Sequence, residues 1–524
     1  MTRLLKSYVC GAWHEGDGRR SQLYNPTTEE VIGEACTGGL DFNAALAYAR
    51  NVGGPALRKM SFAERGQMLS AMASAIHDHR NELLDLAQES CGNTRGDAKF
   101  DIDGATGTLA AYAKMAEGLG DAKFLLDGDN IRISRSPRYV GRHVMLPRKG
   151  VAIHINAFNF PAWGFAEKAA VALLAGMPVI SKPATATALL TERIVEILVE
   201  AKVMPDGVFS VVAGSPGDML DHVTGQDVVA FTGSAATGQM IRSGEAVIKN
   251  SVRVNVEADS LNAAVLGPDV KEESPTWDLF MRDVTTDMTQ KVGQKCTAIR
   301  RIFVPEDKMD AVREELVETL SSTKVGNPGL RAVRVGPLAS KAQLDDVQDG
   351  IRKLNEVAEI VCGEIGSGEL TDLPQGKGYF QQPVLLQAND PEAAAIVHEH
   401  EVFGPVATLM PYNGEASEAA RMVCLGEGGL VASVYTDKRD FASDCMVEMA
   451  PAHGRLTFGS KKIAEHAYGP GMVLPQLVHG GPGRAGAGEE LGGLRGMSLY
   501  MQRTAIQGDE PMLARLFEEG TAAE

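Results

Sequence analysis

Short apolar runs alternate with longer amphipathic stretches from residue 150 onward. Val151-Ala152-Ile153-His154-Ile155, Pro178-Val179-Ile180-Ser181-Lys182, Val208-Phe209-Ser210-Val211-Val212 and Val228-Val229-Ala230-Phe231 read as buried strands, with helical spacing at 164–175 and at about 187–202. Strands separated by helices of this length predict βαβ units and a parallel sheet. In such a doubly wound α/β arrangement, ligands collect at the carboxyl ends of the strands. The β-branched run Val252-Arg253-Val254-Asn255-Val256 ends in Glu257, and a second α/β unit follows. It carries a helix over about 276–291, the strand Arg301-Ile302-Phe303-Val304, and further alternation to about 465.

The flanking regions have other patterns. Residues 1–60 read as short strands and turns, among them Tyr24-Asn25-Pro26-Thr27, followed by a helical region, and 61–120 is helical and rich in Ala, Leu and Met. Within 121–147, Ile131-Arg132-Ile133-Ser134-Arg135 alternates apolar and polar side chains, which predicts an exposed hairpin. The tail has a glycine-rich segment, His479 to Gly488, and an expected strand at Met497-Ser498-Leu499-Tyr500-Met501.

At 524 residues, the length predicts two to four domains, and 44% hydrophobic with 23% charged residues supplies an ample core. A net charge of −17 argues against non-specific nucleic-acid binding and against an anionic membrane surface. The seven cysteines are scattered without CxxC spacing, so neither a metal site nor a disulfide framework is expected, and a reducing cytoplasm fits. No signal-peptide segment or membrane-length apolar window is found.

Four segments carry chemistry. Gly293-Gln294-Lys295-Cys296 presents a thiol, and Lys295 with nearby backbone amides is expected to favour the thiolate. The other six cysteines read as small buried apolar residues. Phe158-Asn159-Phe160-Pro161 follows a buried strand and offers an amide donor, Glu257 offers a general base, and Glu401-Val402-Phe403-Gly404-Pro405 a second acid. Nucleophile, base, donor and acid are the parts needed to oxidise an aldehyde through a covalent thioester.

In this order along nearly the whole chain, these segments resemble the aldehyde dehydrogenase superfamily. The resemblance implies an α/β fold with a doubly wound parallel-sheet cofactor domain (1–120 and 148–258), an α/β catalytic thiol domain (259–476) and a small β oligomerisation region (121–147 and 477–510). It implies that Asn159 and the Cys296 amide hold the oxyanion, that Glu257 activates water, and that Glu490 relays protons. Most members continue that first glutamate as Glu-Leu-Gly-Gly, whereas this chain reads Glu257-Ala258-Asp259-Ser260.

For the cofactor, the resemblance implies Glu401 on the nicotinamide ribose, Phe403 against the ring and Lys182 on the adenosine ribose, with Gly214, Gly217, Gly233 and Ser234 as further contacts. Standing alone, the turn Thr232-Gly233-Ser234 reads first as a helix N-cap by Thr232 or Ser234. Thr185 stands where NAD-preferring members carry a glutamate. A glutamate would repel a 2′-phosphate by roughly 1–4 kcal/mol at intermediate dielectric, so NADP is expected over NAD. Three stretches, 158–164, 255–262 and 479–486, are similar to a narrower group that acts on CoA-linked semialdehydes in aromatic catabolism. The expected partners are therefore a small aldehyde, CoA-linked, and further copies of the chain in a homodimer or dimer of dimers. The competing readings are a CoA-acylating dehydrogenase, a general aliphatic aldehyde dehydrogenase and a non-enzymatic member of the fold.

Overall fold

The computed structural model describes residues 3–522. Two seven-stranded sheets organise it. In the first, Arg253–Glu257, Val228–Thr232, Ala152–Ile155, Val179–Lys182 and Phe209–Val211 lie parallel in that order, and Ser7–Val9 and Ala12–His14 extend the edge antiparallel. In the second, Val384–Gln387, Val406–Tyr412, Arg301–Pro305, Ala263–Leu266, Gly429–Tyr435 and His453–Gly459 are parallel, and Glu359–Cys362 pairs antiparallel at one edge. This is the expected α/β architecture, with buried apolar strands covered by helices on their faces.

The helices that brace the site have clear local causes. Ser61 caps Phe62–Asp78 in a capping box with Glu64, and Thr94 caps Arg95–Leu119 through the Asp97 N–H. The long Arg95–Leu119 helix anchors the segment after the strand Ala152–Ile155. Asp101 accepts the Trp163 N–H at 2.7 Å, and Thr108 accepts the indole N–H at 3.0 Å. From Trp163 the helix runs to Ala175, almost wholly buried. No helix among the described residues is long and apolar enough to cross a membrane.

The 121–147 segment forms the hairpin Phe124–Arg132 and Tyr139–Pro147. One expectation for the tail needs correction. The strand expected at 497–501 begins at Met501 and runs to Asp509, pairing with Tyr139–Pro147, while Gly493–Leu499 is 3₁₀-helical. The segment from 477 to the end of that helix does not join the ribbon. Its hairpin, Val478–Gly481 with Gly488–Leu491, lies against the end of Arg253–Glu257, where the Ala258 N–H donates to Ala485 O at 3.0 Å. Gly486 makes that approach possible, because a Cβ there would stand 2.3 Å from Val256 O.

Candidate active site

The carboxyl ends of the first sheet open onto a cavity of about 640 Å³ between the two sheets. Lys182, Ser234, Glu257, Cys296, Glu401 and Phe403 line it. Phe403 meets Phe158 edge-on with centroids 5.8 Å apart, and Glu401 accepts the Ser260 N–H at 3.2 Å through one oxygen. The other oxygen of Glu401 is buried without a hydrogen-bond donor, and burial raises this carboxyl to about 7. A carboxylate oxygen with no hydrogen-bond donor, 3.7 Å from Arg300 Nε and near the Phe403 ring, with Lys182 on the same cavity, fits a nicotinamide dinucleotide.

Cys296 sits in a strained loop between the helix Pro275–Thr289 and the strand Arg301–Pro305. Lys291, Val292 and Gly293 have φ of 52°, 50° and 68° in succession. Left-handed geometry costs on the order of 1–3 kcal/mol at a non-glycine residue and persists only where surroundings enforce it. At Gly293 a Cβ would lie 2.2 Å from Gly404 O, so this loop and the Glu401–Pro405 segment are in direct backbone contact. Arg300, 5% exposed, ties the two together, donating to Gly404 O at 2.7 Å, Gly293 O at 2.9 Å and Lys295 O at 3.2 Å. Asn262 donates to Cys296 O at 2.8 Å and Ala298 O at 2.9 Å, and accepts from Ser260 Oγ at 2.7 Å. The departure from Glu-Leu-Gly-Gly thus has a structural use, since the Ser260 hydroxyl sets the orientation of the amide that grips the thiol loop.

The Arg300 clamp carries a stability prediction. In Arg300→Met, Gly293 O loses its donor while Gly404 O and Lys295 O keep only the Val406 and Ala298 N–H groups, and unfolding free energy falls by about 1–3 kcal/mol. Urea denaturation measures this, and an unchanged midpoint would place the restraint elsewhere.

Around the thiol lies a buried cluster of ionisable groups. His479 Nε2 is 3.8 Å from Cys296 Sγ and 3.2 Å from a Glu257 oxygen. Lys168 Nζ is 3.0 Å from Glu490 and 3.4 Å from Glu167. The Asn255 amide donates to Glu490 at 3.1 Å. Burial raises Glu490 to about 7 and also raises Glu167, partly offset in both by Lys168. For Glu257, burial pushes the same way but is outweighed by His479 and then Lys168, so it lies well below the usual carboxylate range. Burial, reinforced by Glu257, holds the Cys296 thiol above its ordinary value.

Asn159 lies beside Cys296 and donates to Gln294 O at 3.1 Å. Lys295 does not activate the thiol. Lys295 Nζ is instead 2.5 Å from Asp287 and 3.0 Å from Gln290, turned into the core where its charge has a partner. Ser234 caps the helix Ala235–Arg242, accepting the Thr237 N–H, while also facing the cavity with Gly233. Gly214 and Gly217 pack against the N-terminal segment, where an added Cβ would meet Thr37 or Phe42. Thr185, in the 3₁₀ turn Thr185–Thr187, stands off the wall that Lys182 and Ala184 form. Sequence reasoning missed Lys168, His479, Arg300 and Asn262. Asn262 and His479 fall inside the stretches 255–262 and 479–486, whereas Lys168 and Arg300 fall in none of the motifs.

A thiol, a depressed carboxylate and an amide donor at the mouth of a dinucleotide-sized cavity define an aldehyde-oxidising thiol site. The aldehyde dehydrogenase family model matches residues 13–506, and the chain belongs to that family. It is 43% identical over 478 residues to 3,4-dehydroadipyl-CoA semialdehyde dehydrogenase of Aromatoleum evansii, covering 91% of this chain and 93% of that protein. Among solved structures, the fold is shared with betaine aldehyde dehydrogenase from Staphylococcus aureus in complex with NAD+ (TM-score 0.84, 24% identity, 97% and 95% of the two chains). It is likewise shared with an NAD-dependent aldehyde dehydrogenase from Sinorhizobium meliloti (TM-score 0.84, 24% identity, 97% and 95%).

Proposed function

We propose that this aldehyde dehydrogenase oxidises a CoA-linked semialdehyde, such as 3,4-dehydroadipyl-CoA semialdehyde, to the free acid, with NADP as acceptor and water resolving a Cys296 thioester. The observation that carries hydrolysis over acyl transfer to CoA is the Glu257 carboxylate, buried beside Sγ and backed by Lys168 and Glu490. The substrate class rests on the 43% identical relative.

The thiol gives its proton to the Glu257 carboxylate, and Sγ attacks the aldehyde carbon. The Asn159 amide, with the Cys296 N–H, stabilises the oxyanion that develops. A nicotinamide dinucleotide held by Lys182, Glu401 and Phe403 supplies the hydride acceptor. Glu257 then takes a proton from water as the water oxygen attacks the thioester carbon. The C–S bond breaks, releasing the acid and restoring the thiol. Protons leave the buried site by way of Glu490 and Lys168, whose contact with Glu257's neighbourhood avoids stranding charge in a low-dielectric core.

The NADP preference is supported by Lys182 on the cavity wall and by position 185 carrying no carboxylate to repel a 2′-phosphate. With Thr185 off the wall, Lys182 is the principal phosphate partner. The proposed homodimer has its support in the exposed ribbon, where Ile131 (52%), Tyr139 (42%) and Leu146 (42%) face outward. The proposed domain organisation assigns the first sheet to cofactor and the second to the thiol, with 121–147 and the strand Met501–Asp509 as the assembly region.

The test is the initial rate of reduced-nicotinamide formation with a six-carbon aldehyde, without free CoA, with NADP and NAD in parallel. Turnover at least about tenfold faster with NADP is expected, corresponding to roughly 1.4 kcal/mol of discrimination. Turnover only after CoA is added would replace hydrolysis by acyl transfer to CoA.

A further inference from the structure

We infer that His479 holds Glu257 as a carboxylate inside a buried cluster of acids, and thereby sets the pH at which the acyl-enzyme is hydrolysed. The inference rests on the thioester reading above and concerns a residue that reading does not require. Glu167, Glu257 and Glu490 bring carboxylate oxygens within 4.8 Å of one another, and Glu257 and Glu490 are 1% and 7% exposed. Three carboxylates so close, out of water, cannot all ionise without compensation. Lys168 supplies one positive charge, and its ion-pair contacts are with Glu490 and Glu167.

Among the described residues, the ion-pair partner of Glu257 is His479, at 3.2 Å and 3% exposed. The hairpin fixes this arrangement, since His479 and Glu490 are directly opposed across its two strands. Cross-strand partners project to the same face, so the imidazole stands beside Glu490 in the cluster. Other groups face it as well. Cys296 lies 3.8 Å away, Glu167 favours the imidazolium from the helix Trp163–Ala175, and Arg455 opposes it from the strand His453–Gly459.

The contrast within the cluster supports the assignment. Glu167 and Glu490, which share Lys168, lie above the usual carboxylate range, whereas Glu257 lies below it. Burial opposes charge on His479, but Glu257 and then Glu167 outweigh it, so the imidazole is held above its ordinary value. A general base works only when ionised. A lowered Glu257 pKa extends hydrolysis to lower pH, and loss of the imidazolium moves the acid limb upward, toward the range of Glu490.

His479 is on this account a positioning residue, and its test must separate charge from scaffold. Hydrolysis of p-nitrophenyl acetate by the full-length protein reports thiol acylation as a burst and deacylation as the steady state, with neither nicotinamide nor aldehyde. In His479→Phe, the acid limb of the steady state shifts up by at least about one pH unit. The deacylation deficit is then about tenfold or more below pH 6 and closes above pH 8. His479→Gln, which keeps a hydrogen-bonding side chain without the charge, shows the same shift and carries the test if the phenylalanine variant does not fold. Superimposed acid limbs in either folded variant, with burst and turnover intact, overturn the inference and leave the thioester reading standing. Absence of burst and turnover in the unaltered protein overturns both.

Discussion

Cys296→Ala removes the nucleophile, and reduced-nicotinamide formation is expected to fall by more than about 10⁴-fold, since no other group can form the covalent intermediate. The six other cysteines offer no substitute at the cavity, and Cys296 alone among them lines it. The loop does not depend on the side chain. Its restraints reach the backbone, through Asn262 on Cys296 O and Arg300 on Gly293 O and Lys295 O. The thermal midpoint should therefore change little, because removing one small, partly exposed thiol costs under about 1 kcal/mol. Retained folding with lost turnover separates an enzyme from a non-enzymatic member of the fold. Residual turnover within tenfold would mean that Sγ is not the nucleophile.

Glu257→Gln stops the reaction at a different point. Losing a general base slows deacylation by about 10²–10⁴-fold, while acylation survives. Acylation survives because the charge that raises His479 is gone, leaving a neutral imidazole 3.8 Å from Sγ to accept the thiol proton. Rapid mixing with aldehyde and NADP should show one reduced nicotinamide per chain followed by near arrest, with the acyl adduct on Cys296 visible by mass spectrometry. Unchanged steady-state turnover would assign water activation to another group. In the hydrolytic reading, free CoA does not restore the rate.

Much of the first sheet was legible because its strands are buried on both faces and read as continuous apolar runs. The strand Val228–Thr232 and the one ending in Glu257 were found that way. The tail was harder to read. A glycine-rich segment has no periodicity, so nothing local distinguished a ribbon strand from a hairpin folded over the site. The close approach of Gly486 to Val256 O is what places it. The same limit applies to Lys295, whose neighbours in the chain suggest a thiol partner whereas packing gives it Asp287.

By itself, the sequence determined the class of chemistry and the α/β framework. A thiol, a carboxylate after a β-branched strand and alternating strand and helix periods are local signals that survive in one dimension. Only the tertiary structure decided the ionisation of the site. Desolvation and charge pairing act over a few ångströms between residues far apart in the chain, as where His479 meets Glu257 and Lys168 meets Glu490.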